Sequence, residues 1–331
     1  MPVRVNHAGS GTVTVRRALR EAIAQLAGAQ VPSASTTAEV LLLHVLGRDR
    51  AYLYAHPEAE LSLQQERAYR HLLAQRAAGT PTQYLTGQQE FWGLPLRVEP
   101  GVFIPRPETE HLVEVALAIV RERLMKANAR IVDVGTGSGA IALALASELP
   151  EAEVVATDIS QEALEVARSN AEALGLSSRL RFVESDLLDE FLSHHGSIAA
   201  GFDTRAFDLV VSNPPYVGLE EAECLPREVR EHEPSTALFS PEEGIAVTRR
   251  LIQQAEVLLA GPGFSPAEKS RQEPGALAPE GPVERGWLVL ELGYNMAGRV
   301  RALLGDAWAN VEVTNDLRGI PRVLAARRSA S

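Results

Sequence analysis

The chain has 331 residues, of which 45% are hydrophobic and 23% charged, and its formal net charge at pH 7 is −11. This length is sufficient for two domains and a substantial buried core. The acidic balance argues against a large surface for nucleic-acid phosphates, because that kind of binding depends mainly on cationic side chains.

The charge is distributed unevenly, since residues 1–80 carry +3 and residues 81–331 carry −14. The single cysteine, Cys224, excludes an internal disulfide and a metal cluster built on cysteines. No apolar run reaches the length of about 18 residues needed to span a membrane, and the first residues lack the apolar segment of a signal peptide. We therefore predict a cytoplasmic protein with no membrane part and no metal site, and a monomer is sufficient for every feature of the sequence.

Residues 1–82 predict a small helical domain. Apolar side chains recur at helical spacing from Val13 to Leu26. The polar stretch 32–37 offers N-cap residues ahead of a second helix, Ala38 to Leu46, and a third helix should run from Gln64 to Ala78. We expect the apolar stripes to form the domain's own core; substrate docking is the alternative role.

Residues 83–110 predict a linker that contains a hairpin at 90–104. A proline-rich loop follows, and then an acidic helix start at Glu108 to Glu110. The segment is more aromatic and more charged than an ordinary linker. We therefore expect it to border the active site.

From residue 111 to 331, helical and strand patterns alternate, which predicts a mostly parallel sheet with crossover helices. Seven strands are expected, and the last two are close enough in sequence to form an antiparallel hairpin within the sheet. Residues 261–285, rich in Gly, Pro, Glu and Ser, predict a surface insertion without a catalytic role. The predicted strands are Arg130–Val134, Glu153–Thr157, Leu180–Val183, Leu209–Ser212, Trp287–Leu292, Val311–Val313 and Arg322–Ala326, and the predicted helices are 111–126, 138–148, 160–174, 244–260 and 295–305.

A glycine-rich segment, Asp133 to Gly139, follows the first of these strands and opens a helix, the context that a nucleotide-binding loop requires. Its glycines permit a tight turn, and the helix N-terminus offers free N–H groups to an anionic group. Asp158 ends the second strand and is placed to bind a ribose diol, and Asp186 follows the third and could accept from an adenine amino group. The pattern predicts an adenosyl cofactor but does not distinguish S-adenosylmethionine from NAD.

A second segment, Asn213-Pro214-Pro215-Tyr216, follows the strand Leu209–Ser212. Two prolines end a central strand because each lacks an N–H and has a fixed φ. The side-chain carbonyl of Asn213 and the backbone carbonyl of Pro214 could accept both hydrogens of one planar –NH2 group, while the ring of Tyr216 packs on its face. A plain strand-ending turn is the alternative. A methyl donor opposite a site that binds –NH2 makes a complete reaction, whereas this segment has no evident role in hydride transfer.

Taken together, these segments resemble the release-factor glutamine N5-methyltransferases, and the resemblance covers nearly the whole chain. The Asn213 to Tyr216 segment alone is shared with adenine N6 methyltransferases, but its combination with Ile104 to Glu110 and the helical N-terminal domain is highly specific. The motifs that carry the resemblance are Gly87-x-x-Glu90-Phe91, Ile104 to Glu110, Asp133 to Gly139, Asn213 to Tyr216, Glu233-Pro234 with Ala237 to Phe239, Glu291-x-Gly293, and Gly319 to Arg322.

The resemblance implies a Rossmann-like class I methyltransferase fold, S-adenosylmethionine as methyl donor, and the glutamine of a Gly-Gly-Gln loop in peptide chain release factors as acceptor. It implies that the cofactor is held by Gly135, Thr136, Gly137, Ser138 and Gly139 at its methionine moiety, by Asp158 at the ribose, by Asp186 and Leu187 at the adenine, and by Asn213 beside them. It further implies that the acceptor glutamine is held by Asn213, Pro214, Pro215, Tyr216 and Phe103, and that the reaction depends on Asn213, Pro214 and Tyr216.

Three alternatives remain from the sequence. An adenine N6 nucleic-acid methyltransferase would need a base-flipping pocket and a cationic surface. An NAD-dependent oxidoreductase and a non-catalytic cofactor-binding adaptor are the others. Residues 192–206 and 261–285 look expanded relative to shorter members of the family, so loop contacts to the release factor are expected to differ there.

Overall fold

The computed structural model of the chain describes residues 13–193, 207–260 and 286–329. The two expanded segments therefore lie outside the described residues, except for Leu192 and Ser193, which end a short helix. Within the described stretches, no helix combines the length and the apolar character needed to cross a membrane.

The described chain forms two compact units. The first comprises the described residues up to Gly87 together with Pro226–His232, and it is helical. The second comprises the residues from Gln88 to Leu225 and those from Glu233 onwards. The helices of the first unit are Val15–Gly28, Ala34–Leu46, Arg50–Ala55, Leu63–Ala77, Thr82–Thr86 and Arg227–His232.

The helical unit encloses its own apolar core, in which Leu26, Leu41 and Leu42 are fully buried. The hydroxyl of Tyr69 donates a hydrogen bond of 2.9 Å to the Ala38 carbonyl oxygen across this core. An ion pair between Arg76 and Glu228 fastens the second segment of this unit to the first. The core therefore accounts for the apolar stripes of the predicted helices.

The helix boundaries in this unit differ in two ways from the prediction. The second helix begins at Ala34 rather than Ala38, and Ser33 at its N-cap makes no side-chain hydrogen bond because its backbone is left-handed. The helices Arg50–Ala55, Thr82–Thr86 and Arg227–His232 were not predicted. They have six, five and six residues, which is too short for an apolar period to show.

The second unit begins with an antiparallel hairpin of two short strands, β1 (Gln88–Phe91) and β2 (Leu94–Arg97). The hairpin is therefore shorter than the predicted 90–104. Its turn is tied to the following helix, because the backbone N–H of Trp92 donates to Glu110 Oε1 at 2.8 Å. A 3-10 turn, Pro107–Thr109, leads into the helix Glu110–Ala118, which continues as one π-helical stretch, Ile119–Leu124.

The main sheet has seven strands in the described residues and confirms the predicted α/β class. Its strands are β3 (Arg130–Val134), β4 (Glu153–Asp158), β5 (Leu180–Glu184), β6 (Leu209–Ser212), β7 (Trp287–Glu291), β8 (Trp308–Asn315) and β9 (Pro321–Arg328), in the order β5-β4-β3-β6-β7-β9-β8. The first five are parallel, and β9 is antiparallel to both β7 and β8. The terminal hairpin is thus inserted in the sheet as predicted.

Helices cover both faces of this sheet, which explains why every residue of β3, β6 and β7 is buried, rather than every second one. Ile131 packs into the core on one face, and Val132 and Val134 pack into the core on the other. The remaining helices of this unit are Ala140–Glu148, Gln161–Ala173, Asp189–Ser193, Ser235–Leu238, Pro241–Gly244, Ala246–Leu258 and Ala297–Ala302, with a further 3-10 segment at Leu219–Cys224.

The strand order determines where a ligand can bind. Since β3 to β7 are parallel, the loops that follow Val134, Asp158, Glu184, Ser212 and Glu291 all leave the sheet at one edge. From β3 to β5 the strands are added on one side of β3, and β6 is then added on its other side. The direction in which strands are added therefore reverses between β5 and β6. Open α/β sheets bind their ligands at such a switch point, at the carboxyl ends of the strands.

Candidate active site

The two predicted ligand-binding segments lie next to each other at this edge. Val134 and Ser212, the last residues of β3 and β6, are partners in the parallel ladder. The hydroxyl of Ser212 is buried and donates a hydrogen bond of 2.7 Å to the Val134 carbonyl oxygen. The glycine-rich loop after Val134 and the Asn213-Pro214-Pro215-Tyr216 segment therefore begin side by side.

Asn213 is held by a residue from the proline-rich loop. Its Nδ2 donates a hydrogen bond of 3.2 Å to Oγ1 of Thr109, which is 3% exposed. This contact uses the donor side of the Asn213 amide, so the carbonyl oxygen Oδ1 is left as an acceptor. The sequence drew attention to the loop around Thr109, but it gave no sign that this threonine, 104 residues away, would contact Asn213.

Tyr216 is confined by two glycines, its ring by Gly293 and its backbone by Gly244. A Cβ at Gly293 would lie 2.6 Å from Cδ2 of the ring, and a Cβ at Gly244 would lie 2.2 Å from the Tyr216 carbonyl oxygen. The next residue, Val217, exchanges backbone hydrogen bonds of 3.0 and 2.9 Å with Leu238 and Ser240. Burial raises the pKa of the Tyr216 phenol above its usual value, so it stays protonated.

Glu291, the last residue of β7, is a buried carboxyl beside this segment. Burial raises its pKa to about 7, and a hydrogen bond from the Thr109 hydroxyl opposes that rise. Its Oε2 has no hydrogen-bond partner among the described residues. Asn213, Thr109 and Glu291 thus form one chain of polar groups, of which only Asn213 was predicted as a site residue.

The glycine-rich loop has the backbone geometry expected of a cofactor loop. Gly135, Gly137 and Gly139 have φ values of 72°, 57° and 86°, which an L-residue rarely adopts. A Cβ at Gly139 would lie 3.0 Å from Leu143 Cδ1 and 3.2 Å from Ala167 Cβ, whereas a Cβ at Gly135 or Gly137 would meet nothing within 4 Å. Gly139 is therefore required for packing, and the other two glycines leave open space beside the backbone.

Asp158 closes over this loop from the end of β4. Its Oδ2 accepts a hydrogen bond of 2.9 Å from the Gly137 N–H, and its Oδ1 accepts one of 2.9 Å from the Ser160 N–H. Burial raises its pKa above the usual value, and these backbone hydrogen bonds oppose the rise. The backbone N–H groups of Gly135 and Thr136 both donate to the Thr157 carbonyl oxygen, at 2.9 and 2.8 Å.

Beneath the loop lies Asp133, which is fully buried. Its Oδ2 accepts hydrogen bonds from the Thr136 hydroxyl at 2.6 Å and the Ala142 N–H at 3.1 Å, while its Oδ1 has no partner among the described residues. The hydroxyl of Ser138 is likewise buried without a partner there. Burial raises the pKa of Asp133 to about 7 despite its hydrogen bonds.

Replacing Asp133 by Asn is expected to flatten the dependence of stability on pH. Asp133 has a pKa of about 7 in the folded protein, against 3.8 as the ordinary value. Between these values the folded chain binds the proton and the unfolded chain does not, so the free energy of unfolding falls as pH rises. Asp133→Asn removes that contribution, and urea unfolding at about pH 5 and about pH 7.5 would measure the difference.

The comparison is made between variants, because Glu291 contributes a slope of the same sign. Asp316→Asn is the control. Backbone and Arg322 hydrogen bonds lower the pKa of Asp316 below its ordinary value of 3.8, so its contribution to the free energy of unfolding does not change between about pH 5 and about pH 7.5 and is lost only at lower pH. Equal pH slopes for Asp133→Asn and the wild type would contradict the prediction.

The predicted adenine-side residues lie at the same edge, beyond Asp158. The carboxylate of Asp186 pairs with Arg250 at 2.8 Å, and Arg250 also pairs with Asp189 at 2.9 Å. Leu187 has a left-handed backbone, with a φ of 56°. Sequence reasoning missed Arg250, which comes from the helix Ala246–Leu258 and carries no motif. Asp186 is therefore a paired carboxylate.

Phe103 is held by a charged pair in the proline-rich loop. The Arg106 guanidinium lies over its ring, 4.8 Å from the centroid, and pairs with Glu233 Oε1 at 2.5 Å. Glu233 has a side chain 1% exposed, and its Oε2 accepts from the Ile104 N–H at 3.5 Å. Since Thr109 of the same loop contacts Asn213, the loop that carries Phe103 also runs along the site. The described residues contain no group of three or more His, Cys, Asp or Glu side chains that could bind a metal ion.

Known proteins are similar to this chain over most of its length. Residues 17–87 match the model of the PrmC N-terminal domain, and residues 94–225 match that of the methyltransferase small domain. A release factor glutamine methyltransferase of Koribacter versatilis (strain Ellin345) is 40% identical over 96% of this chain and 100% of its own length. Relatives of the same name from Chlorobaculum tepidum and Escherichia coli (strain K12) are 38% and 41% identical, over 93% and 77% of this chain and 95% and 85% of their own.

Proposed function

The chain belongs to the family of release factor glutamine methyltransferases, and on that premise we propose that it transfers a methyl group from S-adenosylmethionine to the side-chain amide nitrogen, N5, of a glutamine. The acceptor is the glutamine of the Gly-Gly-Gln loop in a peptide chain release factor, so that the reaction tunes translation termination in the cytoplasm. The observation that carries the proposal is the hydrogen bond from Asn213 Nδ2 to Thr109, which leaves Oδ1 free to accept from an –NH2 group.

The residues around the glycine-rich loop fit the cofactor. Gly135 and Gly137 leave open space beside the backbone that a Cβ would partly fill. Asp133 Oδ1 and Ser138 Oγ are buried polar atoms without a partner in the described chain, which suits a polar ligand or its bound water. Gly135 to Gly139 would hold the methionine moiety and Asp158 the ribose. Asp186 and Leu187 would border the adenine, with the Asp186 carboxylate shared with Arg250.

The acceptor amide would be held by this chain's own carbonyl groups. Asn213 Oδ1 and the Pro214 carbonyl oxygen accept its two hydrogens, Tyr216 packs on its plane, and Phe103 lines the other side. When bound, S-adenosylmethionine would supply an electrophilic methyl group on a sulfonium ion, and S-adenosylhomocysteine would be the leaving group and product.

An amide nitrogen is a weak nucleophile because its lone pair is delocalised. Hydrogen bonds to both hydrogens favour a more pyramidal nitrogen and ease the later loss of a proton. None of the motif residues is an obvious general base, so catalysis would rest on positioning, for which about 7–11 kcal/mol is the ceiling.

The adenine N6 nucleic-acid methyltransferase, which shares the Asn213 to Tyr216 segment, is not favoured. The named relatives that match most of this chain are release factor glutamine methyltransferases. Residues 81–331 also carry a net charge of −14, which opposes the approach of nucleic-acid phosphates.

The test is mass spectrometry of a purified release factor incubated with this protein and S-adenosylmethionine. We expect a mass gain of one methyl group, located on the glutamine of the Gly-Gly-Gln loop. The control is the same factor with that glutamine replaced by alanine, which should gain nothing. Methylation of adenine-containing nucleic acid, with none on the factor although cofactor is bound, would refute the proposal.

A further inference from the structure

We propose that Thr109 and Glu291 are positioning residues that decide which way the amide of Asn213 faces, and hence whether the site presents an acceptor to its substrate. The inference rests on the proposed function, because it concerns how the –NH2 group of the substrate glutamine is bound. It assigns a task to two buried polar residues, each 3% exposed, of which the proposed function uses only the contact of Thr109 with Asn213 and makes no use of Glu291.

The fold brings the three residues together from distant parts of the chain. Ser212 of β6 and Leu290 of β7 are partners in the parallel ladder, so Asn213 and Glu291 are the next residues along each strand. Thr109 is the last residue of the 3-10 turn Pro107–Thr109, and its Oγ1 lies 3.2 Å from Asn213 Nδ2.

The direction of the hydrogen bonds follows from the number of available protons. A threonine hydroxyl has one hydrogen to donate and two lone pairs to accept with. An ionised glutamate only accepts, so the contact through which the Thr109 hydroxyl lowers the pKa of Glu291 uses the Thr109 hydrogen. Thr109 can then only accept from Asn213, so the NH2 group of Asn213 must face Thr109 and Oδ1 must face the opposite side.

The orientation matters because a flipped amide would reverse the chemistry of the site. If the NH2 group of Asn213 faced the substrate glutamine, two hydrogen-bond donors would lie against each other. One hydrogen of the glutamine amide would then have no oxygen to bind. A buried donor without a partner is costly, so binding in the reactive geometry would be lost. Small errors of position at a reacting centre can cost about 10²-fold in rate.

Three variants separate this role from simple packing. Thr109→Ser keeps the hydroxyl, and Thr109→Val removes it with nearly the same shape. Glu291→Gln places a side-chain donor beside Thr109, which allows Thr109 to donate to Asn213 and favours the flipped amide. Thr248→Val, at a threonine 2% exposed on the helix Ala246–Leu258, is the matched control for loss of a buried hydroxyl.

Kinetics are measured at about pH 8, where Glu291, with its pKa of about 7, is ionised. Thr109→Ser and Thr248→Val should stay within about threefold of wild-type kcat/KM, and Thr109→Val and Glu291→Gln should each lose about 10- to 30-fold. The variant that combines Thr109→Val with Glu291→Gln should lose no more kcat/KM than either single variant, because both substitutions remove the same constraint on the Asn213 amide. The inference is overturned by equal losses in Thr109→Val and Thr248→Val, by failure of Thr109→Ser to restore activity, or by additive losses.

A second readout does not depend on activity. In isotope-labelled protein, the amide protons of Asn213 should give an NMR cross-peak to the Thr109 methyl group, and Glu291→Gln should weaken it. An unchanged cross-peak in Glu291→Gln, or none in the wild type, would overturn the inference. A wild type that shows the cross-peak but methylates no release factor would instead refute the proposed function alone.

Discussion

Replacing Asn213 by Ala is expected to abolish methyl transfer while the cofactor still binds. The variant loses the acceptor oxygen that faces the substrate amide, so kcat/KM should fall by at least about 10²-fold, the effect of deleting one positioned hydrogen-bonding group from an active site. Affinity for S-adenosylmethionine should change by no more than about threefold, because the loop from Gly135 to Gly139 and Asp158 are untouched. Single-turnover mass spectrometry measures the transfer, and calorimetry measures the cofactor affinity.

Asn213→Asp is the matched variant, since it restores oxygen acceptors at the same position. It should retain more activity than Asn213→Ala, although it lacks the NH2 group that Thr109 accepts from. Thermal unfolding of both variants checks that the fold is intact. Wild-type turnover by Asn213→Ala would remove Asn213 from the reaction and with it the proposed way of holding the acceptor.

Replacing Gly293 by Ala is expected to lower kcat/KM by about 10²-fold through displacement of the Tyr216 ring. The added Cβ would lie 2.6 Å from Cδ2 and 3.0 Å from Cγ of that ring, and 3.2 Å from Met296 Cγ. Contacts below 3.0 Å force one partner to move, and the ring is the nearer one. Because Tyr216 would pack on the amide of the substrate glutamine, most of the loss in kcat/KM should appear when the concentration of the release factor is varied. Affinity for the cofactor should be retained.

Gly298→Ala is the control for this substitution. Gly298 lies five residues further along, on the helix Ala297–Ala302, and its added Cβ would meet nothing within 4 Å. It should keep full activity, and a glycine-to-alanine change within a helix tends to stabilise by about 0.5–1 kcal/mol. Equal activities in Gly293→Ala and Gly298→Ala would show that the position of the Tyr216 ring is unimportant for transfer.

The sheet could be predicted from the sequence because its signals are local. The residues of β3 and β6 are mostly apolar and follow one another in the chain, and both strands have the predicted bounds. The edge strand β8 extends over Trp308–Asn315 rather than Val311–Val313, because its residues are mostly exposed or half-buried and no apolar run marks its ends.

The contacts of the site could not be predicted in the same way. Thr109 and Asn213 are 104 residues apart, and Arg250 contacts the Asp186 backbone from 64 residues away. Each of these residues is ordinary in its local sequence, and only the folded chain brings them together. Glu291 and Arg106 lay inside recognised motifs, but the motifs did not indicate that one would be buried beside Thr109 and the other paired with Glu233.

The position of β9 between β7 and β8 has a consequence for how the protein is made. Synthesis produces β7 first, then β8, and β9 only afterwards, yet β9 is the only one of the described strands with which β8 pairs. Until β9 emerges from the ribosome, β7 has an open edge of unpaired N–H and C=O groups, which is a template for wrong pairing with other chains. Glu291 pairs with Val323 of β9, so the strand that carries it gains its second neighbour only after β9 has been made. The edge of the sheet that carries Glu291 is therefore open to aggregation until β9 pairs with it.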